Sequence, residues 1–246
     1  MTLSEELLYI KYVRLKEDAE RPDAYPYTVP ALANFSSLRF RKPVTFIVGE
    51  NGMGKSTLLE AIAVKAGFNA EGGSRNFNFA TRPSHSQLCE QIVLGRGLSP
   101  RDGYFLRAES FYNVASELEQ IADGVLQYYG DRSLHNQSHG ESVLSLLSHR
   151  LFGNGLYIFD EPEAALSPSR QMYLLCRMKQ LVERGSQFIV STHSPIVMAY
   201  PGAEIYEITD DGLQLTGLEQ TSHYMLMKRF VLDPASLLRQ LDADGE

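Results

Sequence analysis

At 246 residues, with 43% apolar and 22% charged residues, the chain is long enough to bury a core without cross-links, and its composition excludes a disordered protein. A formal charge of −7 excludes a surface uniformly coated for nucleic acid, though it leaves room for a local basic groove. Cys89 and Cys176 are the two cysteines and form no CxxC pair, which excludes a disulfide framework and a zinc module and points to a reducing, cytoplasmic compartment.

The N-terminal stretch MTLSEELLYIKYVRLKEDAE has no basic segment followed by an apolar one, and no run approaches the roughly 18 apolar residues of a spanning helix. Neither a signal peptide nor membrane insertion is expected. Tyr9 to Leu15 alternates apolar and basic residues as a half-exposed strand does. Arg21 to Pro30, with three prolines, reads as loop. Val44 to Val48 is a β-branched run between Pro43 and Gly49 and predicts a buried strand, followed by a helix from Leu58 to Ala66. Gly67 to Ser86 reads as loop with short strands, Tyr104 to Arg107 as strand, and Phe111 to Tyr129 and Glu141 to Leu151 as helices. Leu156 to Phe159 and Phe188 to Ser191 are further buried strands on either side of a helix from Ser169 to Arg184. Ile205 to Ile208 and Leu213 to Leu218 flank Asp210-Asp211-Gly212 as a hairpin, and helices near Ser222–Phe230 and Pro234–Leu241 close the chain. Apolar strands alternating with helices predict an α/β fold, a mainly parallel sheet flanked by helices, with an antiparallel β portion at the N-terminus.

Three segments carry chemistry. VGENGMGKST fits G-x-x-x-x-G-K-[ST] between a predicted strand and a predicted helix. Gly49, Asn51, Gly52 and Gly54 let backbone N–H groups turn toward phosphate oxygens, and the helix start adds partial positive charge. Lys55 would reach the β- and γ-phosphates, Ser56 would ligate Mg²⁺, and Thr57 completes the ATP-binding turn. In LYIFDEPEAALSP an apolar strand delivers Asp160 to the sheet edge beside this loop, where it would hold Mg²⁺, with Glu161 next to it as the carboxylate for an attacking water. In FIVSTHSP a strand delivers His193 as a γ-phosphate contact. The other five histidines, His85, His135, His139, His149 and His223, are assigned no chemistry.

The P-loop, then NQSHGES at Asn136–Ser142, then FDEPEAAL, then STHSP resembles the ordered motif set of the ABC-type ATPase superfamily. The resemblance implies a P-loop NTPase fold, ATP and Mg²⁺ as ligands, and catalysis by Glu161 and His193. It also implies a signature loop in which Ser138, Gly140 and Glu141 face the nucleotide of a second subunit, and so a homodimer. A single domain over 1–246 would then carry an inserted helical lobe at roughly 108–152 that bears the signature. The loop after Asp160 departs from the family in ending Ala164-Ala165-Leu166-Ser167. Where the family has a glutamine after a strand, this chain has Ala108-Glu109-Ser110. Glu109 therefore takes that place, either as a Mg²⁺ or water contact or in a salt bridge with a nearby arginine. Tyr25, Tyr27, Phe35 and Phe40 are available for the adenine or for the core.

The span between Lys55 and Ser138 is too short for the long coiled coil of chromosome-maintenance ATPases, and the signature lacks the Gly-Gly-Gln of most transporter subunits. The chain is most similar to small stand-alone ABC-type ATPases of bacteria, often classed with AAA-family ATPases and close in core to recombination-repair and overcoming-defect nuclease ATPases. The implied function is an ATP-hydrolysing switch acting on DNA or a soluble effector protein, in DNA maintenance or a defence module. The alternative is the ATP-binding subunit of a membrane transporter. Arg75 to Arg82 and Arg96 to Arg101 are loops that either contact phosphates or are simply solvated.

Overall fold

The computed structural model describes residues 3–20, 23–75, 88–110 and 138–244. The elements run β1 (Ile10–Leu15), α1 (Pro30–Ala33), β2 (Ser37–Arg39), β3 (Val44–Val48), α2 (Lys55–Ala66), β4 (Gly73–Ser74), α3 (Leu88–Gln91), β5 (Ile92–Arg96) and β6 (Asp102–Arg107). They continue with α4 (His139–Ser145), which runs on into a π-helical turn at Leu146–Arg150, then β7 (Gly155–Asp160), α5 (Pro168–Glu183), β8 (Gln187–Ser191) and α6 (Pro195–Met198). The hairpin β9 (Glu204–Thr209) and β10 (Gly212–Thr216) precedes α7 (Ser222–Leu232) and α8 (Pro234–Asp244).

A seven-stranded sheet has the order β10-β9-β3-β8-β7-β6-β4. β9, β3, β8, β7 and β6 are parallel, and β10 and β4 pair antiparallel at the two edges. Its central strands β3, β7 and β8 are buried along their whole length, as a sheet covered on both sides requires. Phe46, Phe159 and Val190 point into a core with α4, the π-helical turn, α5 and α6. Ile47, Ile158 and Ile189 point the other way, onto α2 and a three-stranded antiparallel sheet of order β2-β1-β5. That alternation is the two-residue period of the strands.

Strand and helix positions in this framework match the expected elements to within a few residues, and the expected α/β class with an antiparallel N-terminal portion holds. The third strand of that portion, β5, comes from after α2, a region read from sequence only as charged loop from Arg96 onward. The helix expected at Phe111–Tyr129 and the loop at 76–87 lie outside the described residues, as does most of the expected helical lobe. Among the described residues no helix is long and apolar enough to cross a membrane.

Candidate active site

The parallel strands all end on one side, and their C-terminal ends bring the predicted chemistry together. β3 hands the chain to the P-loop, whose Gly49, Gly52 and Gly54 have φ of +142°, +78° and +94°. Gly54 has a second constraint: a Cβ there would stand 2.6 Å from the Val29 side chain, so α1 and the P-loop approach more closely than any other residue allows. Asn51 is exposed at the loop tip. α2 begins at Lys55, and Gly67 closes it at φ +98°, with the Phe68 N–H returning to the Ala63 carbonyl.

Lys55 is 4% exposed, and its Nζ donates to the carbonyls of Gly49 and Glu50 at 3.0 Å each. Burial lowers its pKa, opposed by the charges of Glu161 and Asp160. Asp160 is 5% exposed. Its Oδ1 accepts from Ser56 Oγ at 3.0 Å and Ser191 Oγ at 2.5 Å, and Arg107 Nε lies 3.8 Å from Oδ2. Burial raises its pKa against those three partners.

Glu161 has φ +51°, a left-handed backbone that costs a non-glycine residue about 1 kcal/mol or more. Its N–H is held by Ser191 at the end of β8, which fixes that conformation. The carboxylate meets His193 Nε2 at 3.0 Å, and this hydrogen bond, ahead of the opposing burial, lowers its pKa. Glu161 is therefore an ionised acceptor at neutral pH, so the proton between the two groups sits on His193 Nε2.

Two residues that sequence reasoning did not assign complete the cluster. His223, near the start of α7, places Nε2 3.1 Å from His193 Nδ1. In the neutral tautomer that donates Nε2–H to Glu161, Nδ1 of His193 accepts and His223 Nε2 donates. Burial lowers the His223 pKa, which favours that neutral donor. Glu163 accepts from Thr192 Oγ1 and from the His193 N–H at 2.7 Å each, and so holds the strand end that carries His193. The second carboxylate in FDEPE was the sequence signal for Glu163, whereas no local motif surrounds His223.

Other predicted residues fall elsewhere. Glu109 is 87% exposed and stands 3.9 Å from Arg107, so the residue that this strand end presents to Asp160 is Arg107. Thr57 Oγ1 hydrogen-bonds to Tyr25 OH at 3.0 Å, and Tyr25 is 64% exposed beside the P-loop, whereas Phe35 and Phe40 are core. Ser138 is the N-cap of α4, in a reciprocal capping box with Glu141. Gly140 is buried, and a Cβ there would lie 2.5 Å from the Ala165 carbonyl. Glu141 also reaches Arg170 at 3.6 Å. These contacts tie the segment 138–141 to the loop that follows Glu161.

Ser56 and Asp160 offer adjacent hard oxygens next to a buried lysine, and among the described residues no group of three or more His, Cys, Asp or Glu could cage a metal. This donor set fits Mg²⁺, which keeps water and phosphate ligands and takes few from protein.

Two family models match. One, described as "AAA domain", covers 31–92, and the other, described as "AAA domain, putative AbiEii toxin, Type IV TA system", covers 123–199. The fold is that of MJ1267, an ATP-binding cassette of an ABC transporter in its ADP conformation, with a TM-score of 0.55, 19% identity, and 92% and 96% of the two chains covered. Both matching models are AAA domains, and the fold is that of an ATP-binding cassette. Curated relatives of the chain include the "Putative ABC transporter ATP-binding protein TTE0246" of Caldanaerobacter subterraneus, 27% identical over 69% of this chain and 78% of the relative. The ribose import ATP-binding protein RbsA of the same organism is 27% identical over 76% of this chain, which spans 40% of RbsA. The energy-coupling factor transporter ATP-binding protein EcfA1 of Fusobacterium nucleatum is 27% identical over 60% of this chain, which spans 62% of EcfA1.

Proposed function

We propose that this ATPase is a switch: ATP closes it as a head-to-tail homodimer, hydrolysis opens it, and the movement acts on DNA or a soluble partner protein. The observation that carries the reading is the Glu161–His193 hydrogen bond beside the Ser56–Asp160 pair, which supports a base and a proton donor at the end of the P-loop. Lys55 and the P-loop N–H groups would bind the β- and γ-phosphates, and Ser56 and Asp160 would hold Mg²⁺. Bound Mg²⁺ supplies charge neutralisation at the phosphate oxygens. Glu161 takes a proton from the attacking water, and His193 Nε2–H turns from Glu161 to the γ-phosphate as charge develops there. Tyr25 is the exposed aromatic suited to the adenine.

Ser138 and Gly140 of the partner subunit would complete each nucleotide site, giving a two-fold assembly with two buried ATP molecules. The capping box supports that role, because it presents the Ser138 hydroxyl on a defined helix start. The burial of Gly140 against Ala165 links the signature to the loop after Glu161.

A second reading, the ATP-binding subunit of a membrane transporter, is favoured by the names of the curated relatives. Glu161→Gln keeps the shape but removes the base, so the variant is expected to accumulate an ATP-bound dimer on size exclusion, and adding Ser138→Arg is expected to dissolve it. A Glu161→Gln protein that stays monomeric in saturating ATP·Mg²⁺ would contradict the homodimer. Co-purification with an integral membrane permease would support the transporter reading.

A further inference from the structure

Arg75 and Arg96, which the ATP site leaves unused, come together at the opposite end of the sheet. α2 starts at Lys55 in the P-loop and ends at Ala66, roughly 18 Å away along its axis. Ala66 lines a cavity of about 60 Å³ together with Tyr9, Arg75, Arg96, Pro100 and Leu156. Leu156 opens β7, the strand whose far end carries Asp160. No carboxylate lines this cavity among the described residues.

Arg75 is held by its guanidinium stacking 5.2 Å over the Phe68 ring, and its Nε is buried with no hydrogen-bond partner. The charge acting on it is that of Arg96, which repels it, so after burial the second influence on its pKa is also downward. Arg96 spends one nitrogen on the Lys65 carbonyl at 2.6 Å, which anchors it at the C-terminal end of α2, and is otherwise exposed. Two arginines on the wall of one cavity, with no acid between them among the described residues, are an incomplete arrangement, and an anion completes it. The cavity has room for a few water-sized groups, the scale of one tetrahedral oxyanion. The fork of N–H groups on arginine matches phosphate geometry.

We propose that this cavity is a second anion site that binds a phosphate group, with the guanidinium groups of half-buried Arg75 and exposed Arg96 as its donors. The group belongs either to a small phosphorylated molecule or to a nucleic-acid backbone. The site does not depend on ATP turnover.

The full chain, with its P-loop filled by saturating ADP·Mg²⁺, is titrated with inorganic phosphate by calorimetry. It is titrated separately with a fluorescein-labelled single strand of about twelve nucleotides by anisotropy. At least one probe is expected to bind, and Arg75→Ala and Arg96→Ala are each expected to weaken it roughly tenfold or more while ADP affinity is unchanged. Arg75→Lys keeps the charge but loses the fork, and should fall between. Phosphate binding alone supports a small phosphorylated ligand, and oligonucleotide binding displaced by phosphate supports a backbone. Arg96 is exposed, so its variant tests the site even where Arg75→Ala fails to fold. Binding of neither probe, or equal binding by wild type and folded Arg96→Ala, would overturn the proposal.

Discussion

Replacing His223 by alanine removes the hydrogen-bond partner of His193 Nδ1, together with a 3.8 Å contact to Glu50 of the P-loop. A neutral hydrogen bond contributes about 0.5–1.5 kcal/mol net, and a tenfold change in rate corresponds to about 1.4 kcal/mol. If that bond holds the His193 ring in its working tautomer and orientation, kcat should fall roughly two- to tenfold. KM for ATP should change by less than about twofold, because His223 lies behind His193, 3.1 Å on the side away from Glu161. His223→Gln keeps an N–H donor and should recover part of the loss. The decisive assay is a double-mutant cycle in steady-state phosphate release: with His193→Ala already made, His223→Ala should add little. Equal effects of His223→Ala in the wild-type and His193→Ala backgrounds would refute the link between the two rings.

Lys55→Ala should abolish turnover with the fold intact, since the ammonium contacts P-loop carbonyls and carries no core packing; undiminished ATP hydrolysis would remove the P-loop from the chemistry. Glu109→Ala should leave turnover within about twofold, given its exposure, and a tenfold loss would return it to the metal site. Gly140→Ala must push back the Ala165 carbonyl and should destabilise the chain by about 1–3 kcal/mol in urea, with a larger relative loss of ATP-bound dimer. Asp102 accepts from Arg150 at 2.9 Å and Tyr157 OH at 2.7 Å, and although burial pushes its pKa up, these partners hold it below the usual carboxylate value. Asp102→Asn removes the carboxylate charge opposite Arg150 and should cost about 3 kcal/mol at pH 7. Because the folded pKa is depressed, the contribution is present above the unfolded value near 4 and is lost as pH falls through the folded one. Urea midpoints of the two proteins should therefore converge in acid, and a gap independent of pH would exclude the charge as its source.

What the sequence made legible was whatever a contiguous segment encodes. The P-loop, Asp160, Glu161 and His193 each sit at the end of an apolar strand, and parallel strands in one sheet bring such ends together by topology. β5 was not legible, because Gly95 interrupts its alternation; the glycine is there because the Tyr12 ring of β1 lies over it. Position after a strand leaves Glu109 open as a metal contact or as the partner of a nearby arginine; the structure shows it 3.9 Å from Arg107, and the register pairs Arg107 with Asp160, so the strand's own last residue faces the site. His223 reaches His193 only because the start of α7 is held by Glu207 of β9 and packs against α6, a tertiary event with no local pattern. Among the four aromatics upstream of the P-loop, burial separated Phe35 and Phe40 from exposed Tyr25, which residue type alone does not do.

The central claim is that Glu161 is the base for ATP hydrolysis at the P-loop of this chain. Phosphate release by purified wild-type and Glu161→Gln proteins, measured alongside ATP affinity, tests it most directly. Wild type is expected to turn over steadily, and Glu161→Gln to lose roughly a hundredfold or more with ATP binding retained. Turnover by Glu161→Gln close to that of wild type would contradict it.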